Sequence, residues 1–160
     1  MKMVPKGPMI SLDEATVTKE WGVENDSRGR PGRRQVSVLA RESWEEACDL
    51  LDTTLSWTTR RANLYVEGIP SLFETVGSFL YIGEVILEIQ GETKPCARMD
   101  AAAPGLRESL KPNWLGGVTC SVVKGGKIVV GDPVIMKTVC AEEEEDEVKT
   151  YSNILGETSL

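Results

Sequence analysis

The sequence contains no histidine. This absence excludes Ser-His-Asp and Cys-His catalysis, together with every metal site that needs an imidazole ligand. Any chemistry must therefore come from cysteine, carboxylate, lysine or arginine side chains, or from a bound cofactor.

Paired cysteines and long apolar runs are also missing. Cys48, Cys96, Cys120 and Cys140 lie far apart and form no CxxC pair, so their spacing indicates neither a zinc site nor a disulfide framework. No apolar run approaches the roughly 20 residues that span a bilayer, and residues 1–8 lack the apolar core of a signal peptide. We therefore expect a cytoplasmic protein with reduced cysteines and no contact with membranes.

Positive charge is scarce, since 18 basic residues face 25 acidic ones and the net charge is -7. This balance argues against general binding to nucleic acids or anionic membranes. Residues 25–34 nevertheless contain Arg28, Arg30, Arg33 and Arg34 among turn-forming residues. Arginine binds phosphate through two parallel hydrogen bonds, so this arginine loop is a candidate anion site. The alternative is a solvated, mobile loop.

Most of the chain has the pattern of β-strands. Short runs with alternating apolar residues predict strands in residues 9–24, 35–40, 59–68, 79–82, 85–90, 116–123, 128–130 and 134–139. The glycines at 125 and 126 predict a two-residue turn, and hence a hairpin between the two strands that flank them. Many short strands are typical of a barrel or a closed sandwich.

Two segments predict short helices. The S-x-x-E pattern that begins at Ser43 is a capping box, and apolar residues follow it at helical spacing as far as Leu51. Cys48 falls on this apolar stripe, so we expect it in the core. Residues 104–110 predict the second helix. We expect one domain over residues 1–140 and an acidic, flexible tail over residues 141–160.

The residues next to Cys96 in sequence distinguish it from the other cysteines. It follows Pro95 and lies between Lys94 and Arg98, after the strand-like residues 79–90. The thiolate is the reactive form of cysteine, and nearby cations favour it. Proline restricts its own backbone and that of the preceding residue, so the loop should be stiff. The alternative is an inert cysteine that serves as a small apolar residue.

Several segments occur in the order and spacing of the MOSC domain, the molybdenum cofactor sulfurase C-terminal domain. They are Arg61-x-Asn63-Leu64 with Gly68, residues 82–89, Pro95-Cys96, Gly116-Gly117-Val118 and Gly131-Asp132-Pro133-Val134. The similarity runs from about residue 22 to residue 139. Asparagine is disfavoured in strands, so Asn63 needs a hydrogen-bonding reason, either a backbone partner at a bulge or a ligand.

The resemblance implies a mostly β, barrel-like fold with one or two short helices. It also implies a pocket whose cysteine carries sulfur or contacts the molybdenum of a pterin cofactor. Molybdenum ion binding and pyridoxal phosphate binding are further properties that the resemblance to this family implies. By position, Cys96 would be the thiol, while Arg61 and Asn63 would line the pocket. Because of their positive charge, four further residues are candidates for holding the cofactor's phosphate: Arg33, Arg34, Lys94 and Arg98.

The chain departs from one branch of the family at residue 99. In the amidoxime-reducing branch the metal ligand is the second cysteine of a C-x-R-C pattern, and Met99 stands at that position here. A thioether cannot replace an anionic thiolate ligand, so we name no protein ligand for a metal. The aminotransferase-like domain of the sulfurases is also missing from this sequence, and we expect a separate partner to supply the sulfur.

These features together predict a sulfur carrier that acts on the molybdenum cofactor or a related pterin, with a persulfide on Cys96. A pyridoxal-phosphate-dependent cysteine desulfurase would be the donor, and a molybdoenzyme or a cofactor-biosynthesis protein the receiving partner. Any sulfurtransferase-like activity would depend on that donor, and no cofactor would be bound covalently. The alternatives are a non-catalytic protein that holds or delivers the cofactor, and an interaction module without chemistry that uses the acidic tail.

Overall fold

The computed structural model describes residues 9–138, together with the backbone of the strands Val148–Asn153 and Thr158–Ser159. The predictions for residues 1–8, for Cys140 and for the acidic block 141–147 lie outside the described residues. The division into a domain and a tail at residue 140 stays a prediction. Within the described part, no helix has the length and apolar character needed to cross a membrane.

Strands dominate the described chain. The helices are α1 (Arg41–Leu50), α2 (Ala97–Ala102) and α3 (Leu106–Ser109), with 3-10 turns at Trp57–Arg60 and Pro112–Trp114. The strands are β1 (Ser11–Leu12), β2 (Glu14–Thr18), β3 (Gly22–Val23), β4 (Val36–Ala40), β5 (Leu64–Val66), β6 (Phe79–Ile82), β7 (Val85–Glu92), β8 (Val118–Lys124), β9 (Gly126–Val129), β10 (Pro133–Lys137), β11 (Val148–Asn153) and β12 (Thr158–Ser159).

Seven strands form one sheet in the order β11-β10-β6-β7-β8-β4-β5. Neighbouring strands are antiparallel except β4 and β5, which are parallel. The six strands from β10 to β5 form a nearly closed barrel, and β3, β2 and β9 form a second, smaller sheet. The prediction of a mostly β, barrel-like fold is confirmed, with three short helices instead of one or two.

Alternation along the strands separates two apolar clusters. In β4, Val36, Val38 and Ala40 belong to the cluster inside the barrel, which also contains residues of β5 to β10. Leu39 points the other way and packs in a second cluster with the three helices. Because successive side chains of a strand point to opposite faces, β4 connects the barrel to the helical layer that carries Cys96.

Helix α1 differs from its prediction at its start. Its N-cap is Ala40, which makes no side-chain capping bond, and Ser43 is buried inside the first turn. The prediction of a capping box was therefore wrong, because β4 leads directly into the helix and leaves no loop for a capping residue. Cys48 is 6% exposed, so its placement in the core is confirmed.

The predicted glycine hairpin is also wrong, although both of its strands exist. β8 pairs with β4 and β7, whereas β9 pairs with β2 of the smaller sheet. A Cβ on Gly125 would lie 2.6 Å from the carbonyl oxygen of Val17. The glycine therefore allows the chain to pass close to β2 as it leaves one sheet for the other.

Candidate functional site

A cavity of about 540 Å³ opens beside the arginine loop, next to the start of β4 and the residue that precedes β5. The charged residues in its lining are Arg28, Arg30, Arg34, Arg61 and Asp26. Four arginines and one aspartate thus line one cavity in a protein of net charge -7. Such a local reversal of sign favours an anionic ligand.

Asp26 shapes the arginine loop. Its side chain is 5% exposed, and one carboxylate oxygen accepts a 2.8 Å hydrogen bond from the backbone N–H of Arg28. The other oxygen accepts a 2.9 Å bond from the amide nitrogen of Asn63. In the described part of the chain, no salt bridge joins Asp26 to Arg28, Arg30 or Arg34. The carboxylate therefore fixes the loop through its hydrogen bonds.

Asn63 lies in the cavity wall, and both the oxygen and the nitrogen of its side-chain amide form hydrogen bonds. Its oxygen accepts a 2.9 Å hydrogen bond from the backbone N–H of Ser37, and its nitrogen donates to Asp26. Its own backbone N–H donates to the Ser37 hydroxyl at 2.9 Å. Two explanations were expected for an asparagine at this position, a hydrogen bond to the backbone or a contact with a ligand. These bonds support the first, because they join β4 to the arginine loop through Asn63.

Arg61 lines the cavity from a left-handed backbone conformation, with φ at 64°. Burial lowers the pKa of its guanidinium, and the positive charges of Arg28 and Arg98 lower this pKa further. Arg61 is therefore close enough to both of these cations to be repelled by them. An anion bound among them would relieve this repulsion.

Two residues of the cavity lining each carry a hydroxyl group that has no hydrogen-bond partner among the described residues. These groups are Oγ of Ser27 and Oγ1 of Thr93, and both atoms are buried. Buried hydroxyls normally form hydrogen bonds, because an unmade bond costs about 1–3 kcal/mol. Their place beside the arginines fits a ligand with acceptor oxygens, as a phosphate has.

Cys96 lies on the segment that follows Thr93. It is exposed and is the N-cap residue of α2, where its carbonyl oxygen accepts a 2.9 Å bond from the Met99 N–H. Pro95 beside it is buried, and the exposed Lys94 and Arg98 flank the thiol in sequence. These residues do not line the cavity, but Thr93 does, so the thiol segment begins in the cavity wall.

The predicted site residues therefore fall into three places. Arg34, Arg61 and Asn63 line the cavity, and Cys96, Lys94 and Arg98 lie on the adjoining segment. Arg33 lies outside the cavity lining, since its Nε donates a 2.8 Å hydrogen bond to the side-chain oxygen of Gln90 on β7.

Met99 points away from this region. It is 3% exposed and belongs to the apolar cluster formed with the helices. A residue at this position is part of the packing of α2, and it offers no ligand to the cavity. The described residues also contain no cluster of three or more cysteine or carboxylate side chains that could hold a metal ion.

Sequence reasoning missed several residues of the site. Ser27 and Thr93 carry no signal in a single sequence, and Asp26 resembles any other turn aspartate. The arginine loop was recognised, but the sequence does not tell which of its arginines face the cavity. Arg60, which is 8% exposed and donates a hydrogen bond to the carbonyl oxygen of Thr93, was also missed, because a buried arginine and an accessible one look the same in sequence.

Residues 22–135 match the sequence profile of the MOSC domain. The chain belongs to the MOSC domain family. No protein of curated function matches it significantly in sequence.

Solved structures share the MOSC fold of this chain. YuaD from Bacillus subtilis has 18% identity and a TM-score of 0.71, covering 81% of this chain and 87% of YuaD. YiiM from Escherichia coli has 15% identity and a TM-score of 0.63, covering 89% and 69% respectively. YiiM from Geobacillus stearothermophilus has 14% identity and a TM-score of 0.57, covering 81% and 75%. At these identities the likeness concerns the fold.

Membership of the MOSC family supports a role related to the molybdenum cofactor. The cavity offers what the phosphate of such a cofactor needs, since it combines guanidinium groups with the unpartnered hydroxyls of Ser27 and Thr93. The residues present therefore fit the anionic end of the cofactor.

Proposed function

We propose that this MOSC domain binds the molybdenum cofactor or a related pterin phosphate in the arginine-lined cavity, and that Cys96 carries sulfur to it as a persulfide. The observation that carries the proposal is the meeting of four arginines and two buried, unpartnered hydroxyls at one cavity of an acidic protein.

The arginines and hydroxyls would hold the phosphate. Arg34 and Arg61 offer planar donor pairs to its oxygens, and Ser27 and Thr93 offer hydroxyl donors. Asp26 and Asn63 would keep the arginine loop in place, since their side chains already bond to each other. When bound, the cofactor would supply the metal chemistry that the protein's own residues lack.

Cys96 is placed to receive sulfur from another protein because it is exposed. In the loading step, its thiolate attacks the terminal sulfur of a persulfide on a pyridoxal-phosphate-dependent cysteine desulfurase. A sulfur–sulfur bond forms to Cys96, the bond within the donor persulfide breaks, and the donor cysteine leaves as a thiolate. This loading step is an exchange, so it needs no outside oxidant or reductant. Release of the sulfur at the sulfide level requires two electrons, which a second thiol would supply by forming a disulfide with Cys96.

A second function is favoured by one observation, namely that Cys96 itself does not line the cavity. In this alternative the domain holds or delivers the cofactor to a molybdoenzyme or a biosynthetic protein without covalent sulfur chemistry. Cofactor binding would then survive Cys96→Ser and fail when Arg34 and Arg61 are both replaced by glutamine.

Intact-protein mass spectrometry after incubation with a cysteine desulfurase and cysteine tests the sulfur-carrier function. We expect a gain of one sulfur atom that a reductant removes and that Cys96→Ser abolishes. An equal gain in Cys96→Ser, or no gain in the wild type, would contradict it. If the wild type gains no sulfur, pterin binding is measured by fluorescence in Cys96→Ser and in the double variant Arg34→Gln and Arg61→Gln. Binding that survives in the first and fails in the second supports the cofactor-holding function.

A further inference from the structure

Trp21 contacts the arginine loop from outside the cavity. It lies in the turn between β2 and β3 and is 46% exposed. Its indole N–H donates a 3.1 Å hydrogen bond to the backbone carbonyl oxygen of Asp26, and its own carbonyl oxygen accepts a 3.0 Å bond from the N–H of Arg30. Among the described residues, neither the cavity lining nor the two apolar clusters include Trp21. The contacts of this tryptophan are therefore made with the loop and not with the core.

Gly29 is the residue of the loop against which the indole packs. A Cβ on Gly29 would overlap the Nε1, Cδ1 and Cε2 atoms of Trp21. The φ of Gly29 lies outside the left-handed region that favours glycine. The glycine is therefore needed for space, because the indole occupies the place that a side chain would take.

This contact lies between two arginines of the cavity. Arg28 and Arg30 flank Gly29 in sequence, and both belong to the cavity lining. The carbonyl oxygen of Asp26 accepts the indole N–H of Trp21 and also the N–H of Gly29, at 2.9 Å. The carboxylate of the same aspartate accepts the N–H of Arg28 at 2.8 Å. The backbone between the two arginines is thus bound by Asp26 on one side and covered by the indole on the other, which fixes the direction in which both arginines leave the loop.

We propose that Trp21 is a positioning residue, which holds the arginine loop through its contact with Gly29 and so keeps Arg28 and Arg30 at the cavity before an anion binds. A loop that has to be ordered on binding lowers the affinity, since only the ordered fraction of the protein is competent to bind. The effect of Trp21 on anion affinity rests on the proposed function. Its effect on the loop does not, because the loop can be observed without a ligand.

Hydrogen exchange at the backbone N–H groups of residues 28–30, followed by NMR, tests the hold on the loop without a ligand. We expect Trp21→Ala to speed this exchange about tenfold or more, because local opening of the loop then breaks fewer contacts. Phe73→Ala is the matched control, because Phe73 is also an exposed aromatic residue and its ring packs edge-on against Trp114. We expect the control to exchange at the wild-type rate. Unchanged exchange in Trp21→Ala would overturn the proposal.

Calorimetric titration with inorganic pyrophosphate at constant ionic strength tests the consequence for binding. We expect Trp21→Ala and Gly29→Ala each to raise the Kd about tenfold, because the new Cβ of Gly29→Ala displaces the indole from the loop. The double variant should bind no more weakly than either single variant, since both changes break the same contact. Gly91→Ala is the control for the glycine, because a Cβ on Gly91 meets nothing within 4 Å, and we expect it to keep the wild-type Kd.

Three results separate this proposal from its alternatives. A Trp21→Ala protein with a lower melting temperature and the wild-type Kd would show a purely structural role, and it would overturn the proposal. Losses of affinity that multiply in the double variant would also overturn it, because Trp21 and Gly29 would then act through separate contacts. If the wild type binds no pyrophosphate while exchange still quickens in Trp21→Ala, the anion site of the proposed function is rejected and the hold of Trp21 on the loop stands.

Discussion

Asn63 illustrates how a residue of the site can act through its neighbours. Its position in the MOSC pattern suggested a pocket residue, and it does lie in the cavity wall. Its amide, however, is engaged with the Ser37 backbone and the Asp26 carboxylate. We therefore interpret Asn63 as the residue that holds the arginine loop against β4, so that its effect on ligand binding would be indirect.

Asn63→Ala should destabilise the protein by about 1–3 kcal/mol, because it leaves the Ser37 N–H and the Asp26 carboxylate without their partner. Urea denaturation measures this loss. Gln90→Ala is the control, since Gln90 bonds to Arg33 and Ser121 at a more accessible place, and we expect it to cost less than about 1 kcal/mol. Equal losses in the two variants would argue against a special role of Asn63.

Met99 is the residue at which the chain departs from the C-x-R-C pattern. Its side chain packs with Leu106, Leu110 and Leu115 in the helical cluster. We expect Met99→Cys to cost about 1–3 kcal/mol for the lost volume and to leave a buried, unreactive thiol. Peptide mapping after native alkylation should show residue 99 modified at least about tenfold more slowly than Cys96. Equal modification would mean that position 99 can reach solvent and a ligand.

At the scale of elements, the local pattern predicted strands well and their partners poorly. The alternation in β4, β6 and β7 depends only on neighbouring residues, and all three strands occur within about two residues of their predicted ranges. The pairing of β9 with β2 depends on residues about 110 positions apart, which no local pattern contains. The glycines between β8 and β9 therefore indicated a turn but not where the chain goes next.

Gly125→Ala tests this connection between the sheets. Because its Cβ would lie 2.6 Å from the Val17 carbonyl oxygen, we expect a loss of about 1–3 kcal/mol in the free energy of unfolding. Gly91→Ala is the matched control, since its Cβ meets nothing within 4 Å and its backbone is not left-handed. We expect it to be neutral or slightly stabilising. A Gly125→Ala protein as stable as Gly91→Ala would mean that β2 can move away at little cost.

The site was predictable to the extent that it depended on charge and motif. Arginines in an acidic chain pointed to the loop, and the MOSC pattern pointed to Arg61, Asn63 and Cys96. The sequence did not show that Asp26 would fold the loop so that Arg28 and Arg30 face the cavity and Arg33 does not. Nor did it show the burial of Arg60, since burial is decided by the packing of distant segments.

At the scale of the whole molecule, an anionic ligand experiences two opposed electrostatic effects. The net charge of -7 repels it at long range, and the arginines of the cavity attract it at short range. Any salt will also relieve the self-repulsion of an acidic protein and raise its melting temperature without a specific site. A binding test must therefore separate screening from occupancy.

Inorganic pyrophosphate, compared with sodium chloride at matched ionic strength, makes that separation. We expect pyrophosphate to raise the melting temperature by about 5 °C or more at a hundred times its Kd, since a ligand that binds only the folded state stabilises it by mass action. The double variant Arg34→Gln and Arg61→Gln should lose most of this difference, and Arg41→Gln should keep it. If chloride and pyrophosphate raise the melting temperature equally, the stabilisation is screening of the net charge, and the arginines of the cavity do not form an anion site.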